Sequence, residues 1–262
     1  MLRRMRARLL PTALLFCLLA VGSAACGSDD ESTTGDEPEL VVFGAASLTT
    51  AFEEYAEEFE AADVQLSFAG SDDLAAQIRQ GAVPDVYAAA NTSLPDELAG
   101  EGLLERPETF VTNKLVIGVP ANSDIDDVTD LEQPGVSIAI GDQSVPVGEY
   151  TREVLDGLGP EASKAILDNV ASSEPDVAGI VGKLNQGAVD AGFIYRSDVA
   201  ASDGDIVEVG LPKDVSPDVA YGIAVTTEAE QPELAQEFVD GAIDGAGQDI
   251  LIDDGFGPAP KP

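Results

Sequence analysis

The sequence predicts an α/β fold with mainly parallel sheets. Three observations carry that expectation. Short apolar runs alternate with amphipathic stretches of helical period. Apolar residues make up 44% of the chain, enough to bury a core. No internal repeat and no long polar linker interrupts the alternation. At 262 residues the chain fits one large unit or two lobes of roughly 100 residues each.

The elements follow in order. Leu40-Val41-Val42-Phe43 is an apolar, strand-like run. Leu48, Phe52, Tyr55, Ala56 and Phe59 then recur at helical spacing, with Glu53, Glu54, Glu57 and Glu58 on the opposite face. Val64–Phe68 alternates like a strand, and Leu74, Ala75 and Ile78 open a helix that Gly81 ends. Val86–Ala89 reads as a buried strand. Lys114–Val119 and Val136–Ile140 read as strands, and Glu149–Leu158 as a helix. Ile180, Val181 and Leu184 mark another helix, followed by strands at Ala191–Tyr195 and Gly222–Val225. Pro232–Ala246 closes the series as a helix.

The N-terminus has the order of an export signal. Arg3, Arg4, Arg6 and Arg8 precede an apolar run from Leu9 to about Val21, and small residues lead to Cys26. The run is short for a membrane span of about 20 residues, and Pro11 interrupts its start. Residues 1–25 therefore read as a signal peptide. Cys26 after Ala24-Ala25 resembles a bacterial lipobox, in which the thiol is lipidated; a plain secreted protein cut after Ala25 is the other reading. Residues 26–39 form an acidic Ser/Thr/Gly tether with little to bury.

Composition removes several function classes. With no His there is no Ser-His or Cys-His pair and no imidazole metal site. Lys+Arg 13 against Asp+Glu 49 is the wrong balance for gripping phosphate backbones, so nucleic acid is excluded as a partner. Removing the signal takes away four of the 13 basic residues and none of the 49 acids, which moves the formal charge from −36 to −40. That charge favours solubility and repels acidic partners. The mature chain has no GxSxG, SxxK, P-loop or Cys nucleophile, so an enzyme is not expected. Asp124, Asp126, Asp127 and Asp130 lie close together but lack the central Gly and twelfth-position Glu of a Ca²⁺ loop, and a solvated loop is the expectation.

Four expected helix starts share a pattern. Phe43–Thr49 and Phe68–Ser71 each run strand, small residues, Ser, helix. Pro146 and Pro175 each stand at an expected first helical position. Each Ser alone reads as a helix cap. Taken together, the serines and free N–H groups read as donors converging on a negative ligand.

The order of VVFGAASLTTAFEE, LSFAGSDDLAAQIRQGAVPDVYAAA, TNKLVIGVP, IAIGDQSVPVGEYTREVL and DAGFIYRSDVA resembles the periplasmic molybdate-binding proteins of ABC importers. YGIAVTT and the terminal GFG extend the likeness to the end of the chain. The resemblance implies a type II periplasmic-binding-protein fold, with mixed sheets flanked by helices in two lobes joined by two crossing strands. Residues 40–118 plus 222–262 would form lobe 1, and residues 119–221 lobe 2. It implies capture of molybdate, or tungstate, as a ligand without any cofactor. The protein would act as a monomer, lipid-anchored through Cys26 on the outer face of the cytoplasmic membrane. There it would deliver the anion to an ABC transporter permease with its ATPase subunits. By the same resemblance the oxyanion is held by the hydroxyls of Ser47, Ser71 and Tyr195 and the backbone N–H groups of Val147 and Val177.

A fully ionised oxyanion offers only acceptors, so five neutral donors suit it without a buried Lys or Arg. Each such bond contributes about 1.5–3 kcal/mol. Asp72 and Asp73 beside Ser71 repel a dianion unless both face solvent. Arg196 is not expected as a ligand, because strand neighbours point to opposite faces. Sulfate and other tetrahedral dianions remain alternatives, since hydrogen bonding alone does not separate them.

Overall fold

A computed structural model describes residues 38–259. The export signal, Cys26 and the tether up to residue 37 lie outside the described residues. Two mixed sheets form the frame. β1 (Glu39–Ala45), β2 (Asp63–Ala69), β3 (Val86–Ala89) and β4 (Glu108–Asn113) belong to the first. β5 (Leu115–Pro120), β6 (Ile138–Gly141), β7 (Val170–Glu174), β8 (Ala191–Tyr195) and β9 (Ile206–Val209) build the second. β10 (Val219–Val225) and β11 (Gly257–Pro258) return to the first. The strand orders are β11-β4-β10-β3-β1-β2 and β7-β6-β8-β5-β9.

The expectation of mainly parallel sheets does not hold. β1 pairs in parallel with β2 and β3, and β6 with β7 and β8, but β10, β4, β11, β5 and β9 all pair antiparallel. The cause is the chain's passage between sheets: β4 leads through Lys114 into β5, and β9 leads back to β10, so these strands run against their neighbours. Sheet membership changes at Lys114, earlier than the expected boundary at Gly118, because Leu115–Gly118 pair with β8. It changes back by Val219, before the expected Gly222, because Val219–Tyr221 pair with β4.

Helices cover both sheets. They are α1 (Thr49–Glu58), α2 (Ser71–Arg79), α3 (Ser93–Gly100), α4 (Pro146–Leu158), α5 (Pro160–Asp168), α6 (Val177–Asn185), α7 (Arg196–Ala200), α8 (Pro232–Asp244) and α9 (Ala246–Asp253). The continuous apolar runs β3, β6 and β8 are buried at every residue, as central strands require. β2 and β7 alternate and sit at sheet edges. The apolar stripe of α1 meets α8: Phe52 and Phe238 pack edge to face at 5.5 Å, and Tyr55 and Phe59 close on the same ring. Such pairs each contribute about 0.5–1.5 kcal/mol beyond area burial.

One glycine sets how closely a helix start approaches its sheet. A Cβ on Gly148, in the first turn of α4, would run into the backbone carbonyl of Asp142. In contrast, a Cβ on Gly182 in α6 would meet only Gln186 Nε2 at 3.8 Å. Gly148→Ala should lower unfolding free energy by about 2–3 kcal/mol in a urea titration. Gly182→Ala should raise it by about 0.5–1 kcal/mol through helix propensity. Equal effects would refute the close approach at α4.

Candidate anion-binding site

The carboxyl ends of β1, β2, β6, β7 and β8 converge on one cleft of about 240 Å³, counting the space open to solvent. The part of it open to the centre of a water-sized sphere is about 20 Å³, little more than one water needs, so the cleft suits a small ion. Ser47, Ser71, Val147, Val177 and Tyr195 all line it, joined by small residues such as Ala45, Ala69 and Ala90.

Neither serine caps a helix with its hydroxyl. Ser47 lies in a 3₁₀ turn, Ala46–Leu48, that leads into α1, and its Oγ is 2.8 Å from Tyr221 Oη. Ser71 is the first residue of α2, and its Oγ accepts the Ala90 N–H at 3.0 Å. Its carbonyl takes the Tyr87 hydroxyl at 2.7 Å. Both side chains are thereby turned away from the capping role that their positions suggest.

The helix starts are left open. Gly70 and Val145, at the N-caps of α2 and α4, provide no capping side chain. Pro146 is the first residue of α4, as expected, which places the Val147 N–H in the first turn, where no intrahelical acceptor exists. Pro175 is not at a first helical position. Asp176 is the N-cap of α6 and binds the Gly179 N–H at 2.8 Å, which makes Val177 the first helical residue. Gly70 also lets the two sides meet: a Cβ there would lie 2.8 Å from the Pro175 carbonyl.

Tyr195 closes the floor. It is 1% exposed, and its hydroxyl has no hydrogen-bond partner among the described residues. Native structures rarely leave such a group unpaired, so it points to a ligand acceptor.

The chain matches the family described as bacterial extracellular solute-binding protein over residues 40–257. It belongs to that family. A relative from Mycobacterium tuberculosis, named molybdate-binding protein ModA, is 36% identical over 259 residues, covering 94% of this chain and 97% of its own. A protein of the same name from Escherichia coli is 33% identical over 224 residues, covering 80% and 84%. The solved periplasmic molybdate-binding protein of Azotobacter vinelandii superposes with a TM-score of 0.76 at 21% identity, covering 85% of this chain and 100% of that one. The fold is that of type II periplasmic binding proteins.

The charges around the cleft of this solute-binding protein are acidic. Asp73 faces solvent, but Asp72 is half-buried, so the condition that both acids be exposed is not met. Asp72 is the second residue of α2, where the nearby backbone N–H groups of Asp72 and Asp73 favour its charged form, although its Oδ1 is buried without a hydrogen-bond partner among the described residues. Burial nevertheless raises its carboxyl above the ordinary value, and Asp73 and Asp142 add to that. Glu149 is also raised, first by burial. Arg196 begins α7 rather than continuing β8, and its guanidinium pairs with Glu208 at 3.0 Å. Asp127 and Asp130 cap a 3₁₀ turn, Val128–Glu132, where they accept backbone N–H bonds. Sequence reasoning missed the groups behind the cleft, Tyr221 and Asn113, which no local motif marks.

Asp198 is the third residue of α7 and accepts the Tyr195 N–H at 2.8 Å. Burial pushes its carboxyl from 3.8 up to about 7, with Asp176 adding to the rise and the Tyr195 N–H opposing it. A raised folded value means that the folded chain keeps a proton which the unfolded chain releases. Its stabilising contribution is therefore complete below about pH 3.8 and lost as the pH passes through about 7. Asp198→Asn, which cannot titrate, should flatten the fall in melting temperature between pH 5 and pH 8. An unchanged slope would exclude Asp198 as its source.

Proposed function

We propose that this protein captures molybdate, or tungstate, outside the cytoplasm and delivers it to an ABC transporter permease with its ATPase subunits. The Tyr195 hydroxyl carries the reading: a buried donor without a partner among the described residues, on a residue that lines a small cleft beside two serines and two open helix starts. Ser47, Ser71 and Tyr195 would donate hydroxyl bonds, and Val147 and Val177 backbone N–H bonds. This set has donors and no cation, which suits a fully ionised tetrahedral anion. The names of the relatives from M. tuberculosis and E. coli support molybdate as the ligand. We place residues 40–118 with 222–262, and 119–221, as lobes that close on the anion, adjusted at the crossings to the sheet boundaries. The protein binds and hands over its cargo without a cofactor.

Titration calorimetry with molybdate, tungstate, sulfate and phosphate tests the reading. The expected result is tight 1:1 binding of the first two and much weaker binding of the others. Tyr195→Phe should weaken molybdate by about 1.5–3 kcal/mol, roughly ten- to a hundredfold, whereas Val147→Ala, which keeps the N–H, should cost far less. Preference for sulfate would replace the ligand, and loss of binding in Val147→Ala alone would break the assignment of donors.

The N-terminal sequence supports export and a lipid on Cys26, which would hold the chain on the outer face of the cytoplasmic membrane, where we propose that it acts as a monomer. Wild-type protein should sediment with membranes, and Cys26→Ser should appear in the soluble fraction. Wild-type protein that is soluble without detergent would rule out the anchor.

A further inference from the structure

Behind the cleft, Tyr221 is fully buried and joins Ser47 to Asn113. We propose that Tyr221, held by Asn113, is a positioning residue that aims the Ser47 proton into the cleft. This rests on the reading of the cleft as an oxyanion site.

The direction of each bond follows from what each group can donate. Asn113 Oδ1 accepts the Lys114 N–H at 2.8 Å, which turns the amide NH₂ towards Ser197 Oγ at 2.9 Å and Tyr221 Oη at 3.3 Å. An amide nitrogen only donates, so Tyr221 Oη accepts from Asn113. The phenol proton then needs an acceptor of its own, and Ser47 Oγ at 2.8 Å is the one in reach among the described residues. The opposite orientation would leave that proton unpaired in a fully buried position, which is costly. With Ser47 Oγ accepting from behind, its own proton is free for the cleft that Ser47 lines.

Ser71 follows the same logic, because the Ala90 N–H occupies its oxygen from behind. Two hydroxyls that could accept or donate thus become donors towards the cleft, which is what an acceptor-only anion requires. Tyr221 also braces the third hydroxyl: its ring meets Tyr195 edge to face, with centroids 5.9 Å apart at 69°. Tyr221→Phe keeps that ring contact and removes only the hydroxyl.

A double-mutant cycle on Ser47 and Tyr221, read by molybdate calorimetry, separates positioning from packing. Tyr221→Phe should weaken binding about tenfold when Ser47 is present and less than about twofold on Ser47→Ala. Equal losses in both backgrounds, or no loss beside Ser47, would overturn the inference while the function stands. Wild-type protein that binds no tetrahedral oxyanion would overturn both. If Tyr221→Phe fails to fold by circular dichroism, Asn113→Ala is taken through the same cycle. An about threefold loss that vanishes on Ser47→Ala supports the relay, and a loss that persists there overturns it.

Discussion

The first N–H groups of a helix have no partner within that helix, and the structure gathers several such starts around one cleft. A chain selected for helix stability alone would place Ser, Asp or Asn at each N-cap, for about 1 kcal/mol apiece. Here Gly70 and Val145 stand at the caps of α2 and α4, and α6 uses Asp176 for the Gly179 N–H only. The serines sit inside the turns, with their oxygens tied behind them. Sheet order does the rest: parallel β1 and β2 in one sheet, and β6, β7 and β8 in the other, all deliver their carboxyl ends to the same place.

Directed dipoles matter because the overall field is unfavourable. The formal charge is −36, no Lys or Arg among the described residues lines the cleft, and Asp142 stands close enough to Asp72 to add to its cost of ionisation. Two nearby arginines are spent elsewhere, Arg79 on Glu97 and Glu101 and Arg196 on Glu208, in pairs exposed enough to add little stability. Acids on the surface are screened over about 8 Å at physiological salt, whereas a hydrogen bond acts at about 3 Å. Capture at the proposed site would therefore depend on short contacts within the cleft rather than on attraction at a distance.

What was legible in the sequence follows the same divide between local and long-range causes. β3, β6 and β8 were readable because central strands are apolar throughout. β4 (ETFVTN) and β7 (VASSE) were not, because polar residues fill their exposed positions. The strand-to-helix junctions pointed to Ser47 and Ser71 and the family resemblance added Val147, Val177 and Tyr195, all of which line the cleft, yet the hydroxyl partners were hidden. Ser47 looked like a helix cap, but its oxygen faces Tyr221, 174 positions away. Pro175 looked like a first helical residue, but Asp176 holds the cap and the helix starts two residues later, at Val177. Such choices depend on which strands become neighbours, and neighbours arise only when the chain crosses between sheets.

Those crossings also bear on the cleft itself. Asn113 ends β4 immediately before the chain leaves the first sheet, and Tyr221 lies on β10 after it returns. The Asn113 amide reaches Ser197 in α7, the helix that begins directly after Tyr195, and through Tyr221 it reaches Ser47 beside β1. One amide therefore contacts both sides of the cleft from the point where the sheets join. A rotation of one sheet against the other at Lys114 would alter the Asn113–Ser197 contact, whereas the Asn113–Tyr221–Ser47 chain lies within the first sheet and the turn that follows β1. The amide that anchors the proposed Ser47 donor thus also touches the second sheet, so the proposed site draws on side chains at the crossings as well as on those that line the cleft.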